Sequence, residues 1–93
     1  MSNLSKQDVI DRVADATGET KATVSRIIDA ELAAITGALV NDETVTYVGY
    51  GKWSKSRREA REGRNPQTGA TIQIAAANVP KFKAGKALKD AVN

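Results

Sequence analysis

Apolar side chains recur every three or four residues through the first third of the chain, which is the spacing of amphipathic α-helices. Ser5 and Asp8 have the form of a capping box at the start of a first helix, and Gly18 supplies its end. Thr20 is placed to cap a second, longer helix that ends near Asn41. The apolar stripe of this second helix consists of Val24, Ile27, Ile28, Leu32, Ile35 and Leu39.

The period of the pattern changes from 3.6 to two at Thr44. Residues 44–48 alternate β-branched and aromatic side chains, as a half-buried strand does. Residues 49–51 form a glycine-containing turn, and a second strand starts at Lys52. The chain therefore passes from a helical part to a β part at about residue 44.

The second strand continues into a polar segment that is bounded by strong turn formers. Between residues 56 and 64 no aliphatic side chain is larger than alanine, and residues 63–69 gather glycine, asparagine and proline. Residues 70–75 then alternate again. The pattern predicts one long hairpin over about 56–78, and a short final helix over 86–92.

Together these elements predict an α+β fold with an N-terminal helical hairpin, a three-stranded antiparallel sheet extended into a long β-ribbon arm, and a short C-terminal helix. We expect a single domain over 1–93. Its parts are a helical part (1–43), a sheet body with the C-terminal helix (44–55 and 79–93), and a β-arm (about 56–78).

The body of this fold is small for the apolar surface that it carries. Without the hairpin of about 23 residues, about 70 residues remain, and a single core of that size rarely supplies more than ~3–5 kcal/mol. Association of two chains is the remaining way to bury the stripe of the second helix, and a two-fold dimer is the simplest closed form. The expected dimer core comprises Val24, Ile28, Leu32, Ile35, Leu39, Tyr47, Tyr50, Trp53 and Phe82.

The composition excludes several classes of protein. The 93 residues include no cysteine and no histidine, so we expect no disulfide, no thiolate or imidazole metal site and no histidine-dependent hydrolase. Scattered acidic residues and the lack of a glycine-rich phosphate loop argue against any enzyme, and no cofactor is expected. No apolar run is long enough to cross a membrane, and the N-terminus lacks a secretory signal, so an intracellular protein is expected.

The net charge of +3 conceals two halves of opposite sign. Residues 1–43 contain four basic and eight acidic side chains, a balance of −4, and residues 44–93 contain ten basic and three acidic ones, a balance of +7. This asymmetry indicates a polyanionic partner for the second half alone.

Six cations lie on the predicted arm strand and its turn: Lys52, Lys55, Arg57, Arg58, Arg61 and Arg64. Glu59 and Glu62 are the acids among them. A basic ribbon matches the phosphate backbone in charge and a DNA groove in shape, and arginine suits a narrow minor groove. The other interpretation is an edge strand that is protected from aggregation by its charges.

Four segments resemble the HU family of bacterial histone-like DNA-binding proteins. They are residues 48–51 (VGYG), 63–69 (GRNPQTG), 74–80 (IAAANVP) and 85–92 (GKALKDAV). The resemblance extends over essentially the whole chain. It implies an intertwined dimer whose two β-arms wrap the minor groove of double-stranded DNA with little sequence preference, bend the duplex and help to compact the nucleoid in the cytoplasm.

The resemblance also assigns roles to individual residues. Pro66 at the arm tip is either a turn former or an apolar wedge that enters between base pairs, and the family likeness favours the wedge. The expected arm contacts are Lys52, Lys55, Arg57, Arg58, Arg61, Arg64, Asn65, Pro66 and Gln67. DNA that flanks the bend is expected to contact Lys6, Lys83, Lys86 and Lys89.

The four flank lysines are assigned on different grounds. The family uses lysines that match Lys6 and Lys86, and an acid that matches Asp29 is expected to pair with Lys6 when DNA is absent. Lys83, with Lys81 beside it, is assigned on general electrostatics alone, and ordinary solvated lysines are an equal alternative for both.

Two other functions stay open. Integration host factor belongs to the same superfamily, so a sequence-preferring DNA-bending protein is the first alternative. A dimeric scaffold whose basic arm binds RNA or an acidic protein is the second. The arm carries no aromatic residue to stack on an unpaired base or to anchor a protein partner, which argues against this second alternative. Whether the dimer is homomeric or shared with a paralogue also stays open.

Overall fold

The computed structural model describes residues 2–93 and contains three helices and five strands in that range. The chain divides into two compact units, one that ends at Gly37 and one that comprises Ala38–Asn93. Within the described range no helix is long and apolar enough to cross a membrane. The elements are α1 (Lys6–Thr17), α2 (Lys21–Val40), β1 (Val45–Tyr47), β2 (Gly51–Arg58), β3 (Arg61–Arg64), β4 (Thr71–Ile74), β5 (Ala77–Ala84) and α3 (Lys86–Val92).

The predicted capping signals set the helix bounds of the first unit. The Ser5 hydroxyl accepts a hydrogen bond from the Asp8 backbone N–H at 3.2 Å, and Asp8 accepts one from the Ser5 backbone N–H at 2.9 Å. Gly18 ends α1 in the left-handed conformation, and the Thr20 hydroxyl accepts from the backbone N–H of Thr23 at the start of α2. The capping box and both helix starts are therefore confirmed.

The core of the first unit is small. Ile10 and Ala14 of α1 and Val24 of α2 are the buried apolar residues, and Val13 and Ile28 pack against them. Ile27 and Leu32, on the same stripe of α2, remain 58% and 49% exposed in the single chain. One chain by itself thus leaves much of the predicted apolar stripe uncovered.

The second unit contains a three-stranded antiparallel sheet in the order β1-β2-β5. Trp53 in the central strand lies opposite Val45 on one side and Phe82 on the other. The rings of Trp53 and Phe82 have centroids 5.0 Å apart, and Tyr47 meets Trp53 edge-on at the same separation. Tyr50 and Phe82 are nevertheless 52% and 47% exposed, so this aromatic face is also incompletely covered.

The predicted arm consists of two antiparallel ladders with a break between them. Pairing of β2 with β5 ends at Arg58 opposite Ala77, and β3 and β4 form a separate two-stranded sheet. Residues 59–60 and 75–76 between the two ladders have no strand structure. Three of these four residues are alanines, which have no branched or aromatic side chain to form stabilising cross-strand pairs. The predicted hairpin over about 56–78 is therefore interrupted in its strand pairing, between Arg58 and Arg61 on one side and between Ile74 and Ala77 on the other.

The last helix is attached to the turn between β1 and β2 by backbone hydrogen bonds. The Gly85 N–H donates to the Tyr50 carbonyl at 2.7 Å, and the Leu88 N–H donates to the Gly49 carbonyl at 3.1 Å. A Cβ on Gly85 would lie 2.5 Å from the Gly49 carbonyl oxygen, so only glycine allows this approach. The final helix over 86–92 is confirmed.

Candidate nucleic-acid interface

The six arm cations do not lie on one face. Side chains alternate along a strand, so Lys52 and Arg58 lie on one face of β2, and Lys55 and Arg57 lie on the other. Their positions in the sequence predict a single basic surface. The structure instead divides them, and each cation has a different environment.

Lys55 is held within the second unit by groups at the end of α2. Its ammonium group lies 2.6 Å from the Asp42 carboxylate and 3.4 Å from the Val40 carbonyl oxygen. Its side chain is only 22% exposed. A cation suits this place because the carbonyl end of a helix carries partial negative charge. Lys55 therefore differs from the other predicted DNA contacts, because its charge already has partners at a helix terminus.

Two arginines lie where the arm ladder is interrupted. The Arg58 guanidinium donates to the Ala75 carbonyl at 3.1 Å, which bridges the two sides of the arm where strand pairing stops. Arg57 pairs with Glu59 at 3.4 Å on the exposed surface. Both cations remain largely exposed, so these contacts leave them accessible to a larger anion.

Arg61 and Arg64 are the free cations of the outer arm. They begin and end β3, opposite Ile74 and Thr71, and both are exposed. Neither has a carboxylate within ion-pair distance in residues 2–93. A two-stranded ribbon thus carries two uncompensated guanidinium groups per chain toward its tip.

The tip is organised by Asn65. Its side-chain oxygen accepts a hydrogen bond from the Gln67 N–H at 2.9 Å, and its backbone pairs with Ala70 and Gly69 at 2.9 and 2.7 Å. Gly69 has a φ of 72°, a conformation that glycine adopts without strain. Pro66 and Gln67 are exposed at the end of this closed turn. Asn65 was predicted as a DNA contact, and the structure adds a role in shaping the tip.

The flank lysines differ in their partners. Lys6 pairs with Asp29, as the resemblance led us to expect. Lys86 pairs with Asp90 at 2.8 Å, four residues further along α3. Lys83 and Lys89 are exposed and have no ion pair with the described residues.

Asp8, close to Lys6 in the sequence, has a lowered pKa. Hydrogen bonds from the Ser5 backbone N–H and then from its hydroxyl hold the pKa of Asp8 below its ordinary value, with a smaller contribution from the charge of Arg12. This ionised carboxylate belongs to the cap of α1. It is a structural group and no part of the basic surface.

Comparison with known proteins places this architecture in a family. The family model described as "Bacterial DNA-binding protein" matches residues 4–93. The chain belongs to this family. Among curated members, the chain is 50% identical over 90 residues to DNA-binding protein HU-beta of Pseudomonas aeruginosa. This match covers 97% of this chain and all of the relative. It is 53% identical over 87 residues to DNA-binding protein HU of Streptococcus pyogenes, covering 94% of this chain and 96% of the relative.

Solved structures of family members have the same fold. A cocrystal structure of Anabaena HU with DNA matches with a TM-score of 0.88 and 37% identity, covering 96% of this chain and 97% of the Anabaena chain. HU from Thermotoga maritima matches with a TM-score of 0.69 and 34% identity, covering 97% of this chain and all of the Thermotoga chain. The α+β fold predicted from the sequence is thereby confirmed.

Proposed function

We propose that the protein is a histone-like architectural protein that binds double-stranded DNA with little sequence preference, bends it and helps to condense the nucleoid. The observation that carries this proposal is the outer arm, a β-ribbon with two unpaired arginines, Arg61 and Arg64, that ends in an exposed Pro66. Membership of the HU family supports the same function. We further propose that the protein acts without catalysis and in the cytoplasm.

The working form is a dimer, as a homodimer or with a paralogue. In one chain, large apolar side chains on α2 and on the aromatic face of the sheet stay about half exposed, including Leu32, Tyr50 and Phe82. Burial of apolar surface contributes roughly 25 cal/mol per Å², so covering these faces with a second chain stabilises both. The dimer also supplies two arms, which can hold one duplex from both sides.

Different residues of the arm bind DNA and bend it. Arginines on the ribbon are attracted by the negative potential of the minor groove and by the phosphates at its rim. Pro66 supplies a rigid apolar ring that can enter between two base pairs and partly unstack them, which kinks the duplex. The turn closed by Asn65 and Gly69 holds that ring at the end of the arm.

The flank lysines hold the DNA on either side of the bend. Lys89 and Lys83 have free ammonium groups for phosphate contact, whereas Lys6 and Lys86 exchange a carboxylate partner for a phosphate. Exposed ion pairs contribute only ~0–1 kcal/mol, so this exchange costs little. Because each contact releases counterions from the DNA, affinity should fall steeply with salt.

A titration tests the proposal. Duplexes of equal length with random, mismatched and A-tract sequence are titrated at two salt concentrations, with donor and acceptor dyes at the duplex ends to report the bend. We expect similar affinities for the duplexes of different sequence, tighter binding to the mismatched duplex, and energy transfer that rises on binding. An affinity that does not change with salt would contradict the proposal. A thousandfold preference for one duplex would favour the integration-host-factor-like alternative.

A further inference from the structure

Lys55 lies at the root of the arm, where the sheet loses one of its strands. The strand β1 pairs with β2 only as far as Trp53, whereas the ladder of β2 with β5 continues to Arg58. Two residues beyond Trp53, Lys55 therefore belongs to a two-stranded ribbon. The residue directly opposite it on β5 is Pro80, which has no charge to offer. The partners of Lys55 come from outside this ladder.

Those partners lie where α2 ends in a Schellman motif. The Glu43 N–H donates to the Ala38 carbonyl at 2.8 Å, and the Asp42 N–H donates to the Leu39 carbonyl at 3.2 Å. Asp42 occupies the position of this motif that glycine usually takes, with a φ of 62°. In residues 2–93 it is the one residue other than glycine that has a left-handed φ.

The local surroundings do not favour an aspartate at this position. A left-handed backbone costs conformational free energy for any residue with a Cβ, although aspartate tolerates it better than most. The carbonyl end of a helix also carries partial negative charge, which repels a carboxylate. Glycine would avoid both costs. The presence of Asp42 therefore requires an explanation from outside the helix end.

Lys55 provides that explanation. Its ammonium group lies 2.6 Å from the Asp42 carboxylate and 3.4 Å from the carbonyl oxygen of Val40, the last residue of α2. The Lys55 side chain is 22% exposed, whereas the other basic side chains in ion pairs within residues 2–93 are at least 54% exposed. We call these two contacts of Lys55 the arm-root clasp.

The arm-root clasp supports the ribbon at the point where the sheet stops doing so. A two-stranded ribbon by itself is marginally stable and twists more than a wider sheet. The clasp ties β2, two residues past the end of its pairing with β1, to the last turn of α2. The ribbon therefore leaves the second unit from a fixed point and in a fixed direction.

We propose that Lys55 is a positioning residue for DNA bending and not a DNA contact. The arm-root clasp sets the direction of each arm, and this direction determines where Pro66 enters the duplex. The inference rests on the proposed function and replaces the assignment of Lys55 as an arm contact. A phosphate that drew Lys55 away would leave the Asp42 carboxylate without its cation beside the negative end of α2, so Lys55 keeps its partners when DNA binds.

Full-length variants distinguish positioning from phosphate contact. Lys55→Met removes the charge and keeps most of the length of the side chain. Asp42→Gly removes the carboxylate, and glycine suits the φ of 62° at this position, so the end of α2 stays intact. Lys52→Met is the matched control, because Lys52 lies on the same strand, is an expected DNA contact and has no ion pair with the described residues.

Each variant is titrated with one random duplex that carries dyes at both ends, over a range of salt concentrations. We expect Lys55→Met and Asp42→Gly to reduce energy transfer at saturation and to leave the slope of log affinity against log salt unchanged. The two substitutions change the net charge in opposite directions, so a shared loss of bending does not come from charge. Lys52→Met should instead lower the slope by about 0.9 for each phosphate that is no longer neutralised, with the bend retained.

Two further variants test whether Lys55 and Asp42 act together. Asp42→Gly/Lys55→Met should reduce the bend no further than either single substitution, because both remove the same contact. Lys55→Arg should retain the bend, since a guanidinium group also pairs with a carboxylate. Thermal unfolding followed by circular dichroism confirms that each variant is folded at the temperature of the titration.

The direction of the arm root can also be measured without DNA. The chain has no cysteine, so Asn78→Cys introduces a single site for a spin label in each chain. Asn78 is exposed and lies opposite Arg57, in the ladder just beyond the clasp. In the dimer, the distance between the two labels reports the direction of the two arm roots. We expect a broader distance distribution in Lys55→Met and Asp42→Gly than in the parent protein, and no broadening in Lys52→Met.

The outcomes separate this inference from the proposed function. If Lys55→Met lowers the salt slope as Lys52→Met does, and Asp42→Gly strengthens binding by freeing Lys55, then Lys55 is a DNA contact and only the inference fails. If the bend and the distance distribution stay unchanged in both clasp variants, the inference fails as well. A parent protein that neither binds nor bends duplex DNA overturns the proposed function, whereas the label distances still show whether the clasp holds the arm.

Discussion

The side-chain oxygen of Asn65 accepts a hydrogen bond from the backbone N–H of Gln67 at 2.9 Å, across the intervening Pro66. An asparagine that bonds the backbone two residues ahead fixes a turn from within. Pro66 has its φ angle fixed by its own ring, so together the two residues leave the tip few alternative conformations. The orientation of the exposed ring thus depends on a neighbour that was expected to contact DNA.

Asn65→Ala should loosen the tip while keeping every cation of the arm. We expect a smaller DNA bend at saturation, since Pro66 is no longer held in one orientation, with at most a few-fold loss of affinity. The bend is read by energy transfer between the ends of a labelled duplex. Gln67→Ala is the matched control, because the bond uses the backbone N–H of residue 67, which this substitution retains. Equal bends for the two variants would contradict the role of Asn65.

Asp29→Asn should strengthen DNA binding slightly. Asp29 pairs with Lys6 on the surface, where the two side chains are 56% and 54% exposed. Such pairs contribute ~0.2–1 kcal/mol, so freeing Lys6 should raise affinity by at most about fivefold. Fluorescence anisotropy with a short duplex measures this change. In the background of Lys6→Gln the same substitution should lose its specific effect, and an undiminished gain there would mean that the ion pair is irrelevant.

Leu32→Asp should prevent the dimer from forming. Leu32 is 49% exposed in one chain and lies on the α2 stripe that we expect a second chain to cover. A carboxylate placed there would be buried without a partner in the dimer, which costs several kcal/mol. Sedimentation velocity should show monomer, and circular dichroism should show loss of helix. Ala33→Asp is the control and should remain folded and dimeric, because helical spacing places residue 33 on the side of α2 opposite the apolar stripe.

The pH dependence of stability should reflect the Asp8 cap. Its pKa is lowered in the folded state by hydrogen bonds from Ser5, so the ionised carboxylate stabilises the fold above its ordinary pKa of 3.8. That contribution is lost as the pH falls through the lower, folded-state value. Asp8→Ala should therefore lower the unfolding temperature at pH 7, and the difference from the parent protein should narrow below about pH 4. A constant difference between pH 7 and pH 3 would contradict this sign.

The helix bounds could be predicted from the sequence because their signals are local. Ser5, Gly18 and Thr20 act on backbone groups within four residues, so their roles follow from spacing alone. The start of the first strand followed from the change of period at Thr44, and the position of the final helix followed from Gly85 before it. These elements needed no knowledge of long-range contacts.

The properties of the basic surface depended on register and on distant partners. Nothing local to Lys55 predicts that its charge is paired with Asp42, thirteen residues earlier at the end of α2. Lys52 lies opposite Lys83 because of the register in which β2 and β5 pair. A shift of this register by one residue would move every side chain of a strand to the other face of the sheet. Charge counts along the chain therefore predicted that the region is basic but not which cations act together.

Pro66→Ala and Arg61→Ala should separate bending from binding. Pro66→Ala keeps every cation and removes only the rigid ring, so affinity for a straight duplex should stay nearly intact while the bend decreases. Preference for nicked or already kinked DNA should persist, because such substrates cost less to deform. Arg61→Ala removes a free guanidinium group and should weaken binding to every duplex, lowering the salt slope by about 0.9 for each phosphate that is no longer neutralised. Energy transfer and a binding titration on the same end-labelled duplex measure both effects. If Pro66→Ala leaves the bend unchanged, Pro66 only forms the turn and the wedge must be assigned elsewhere.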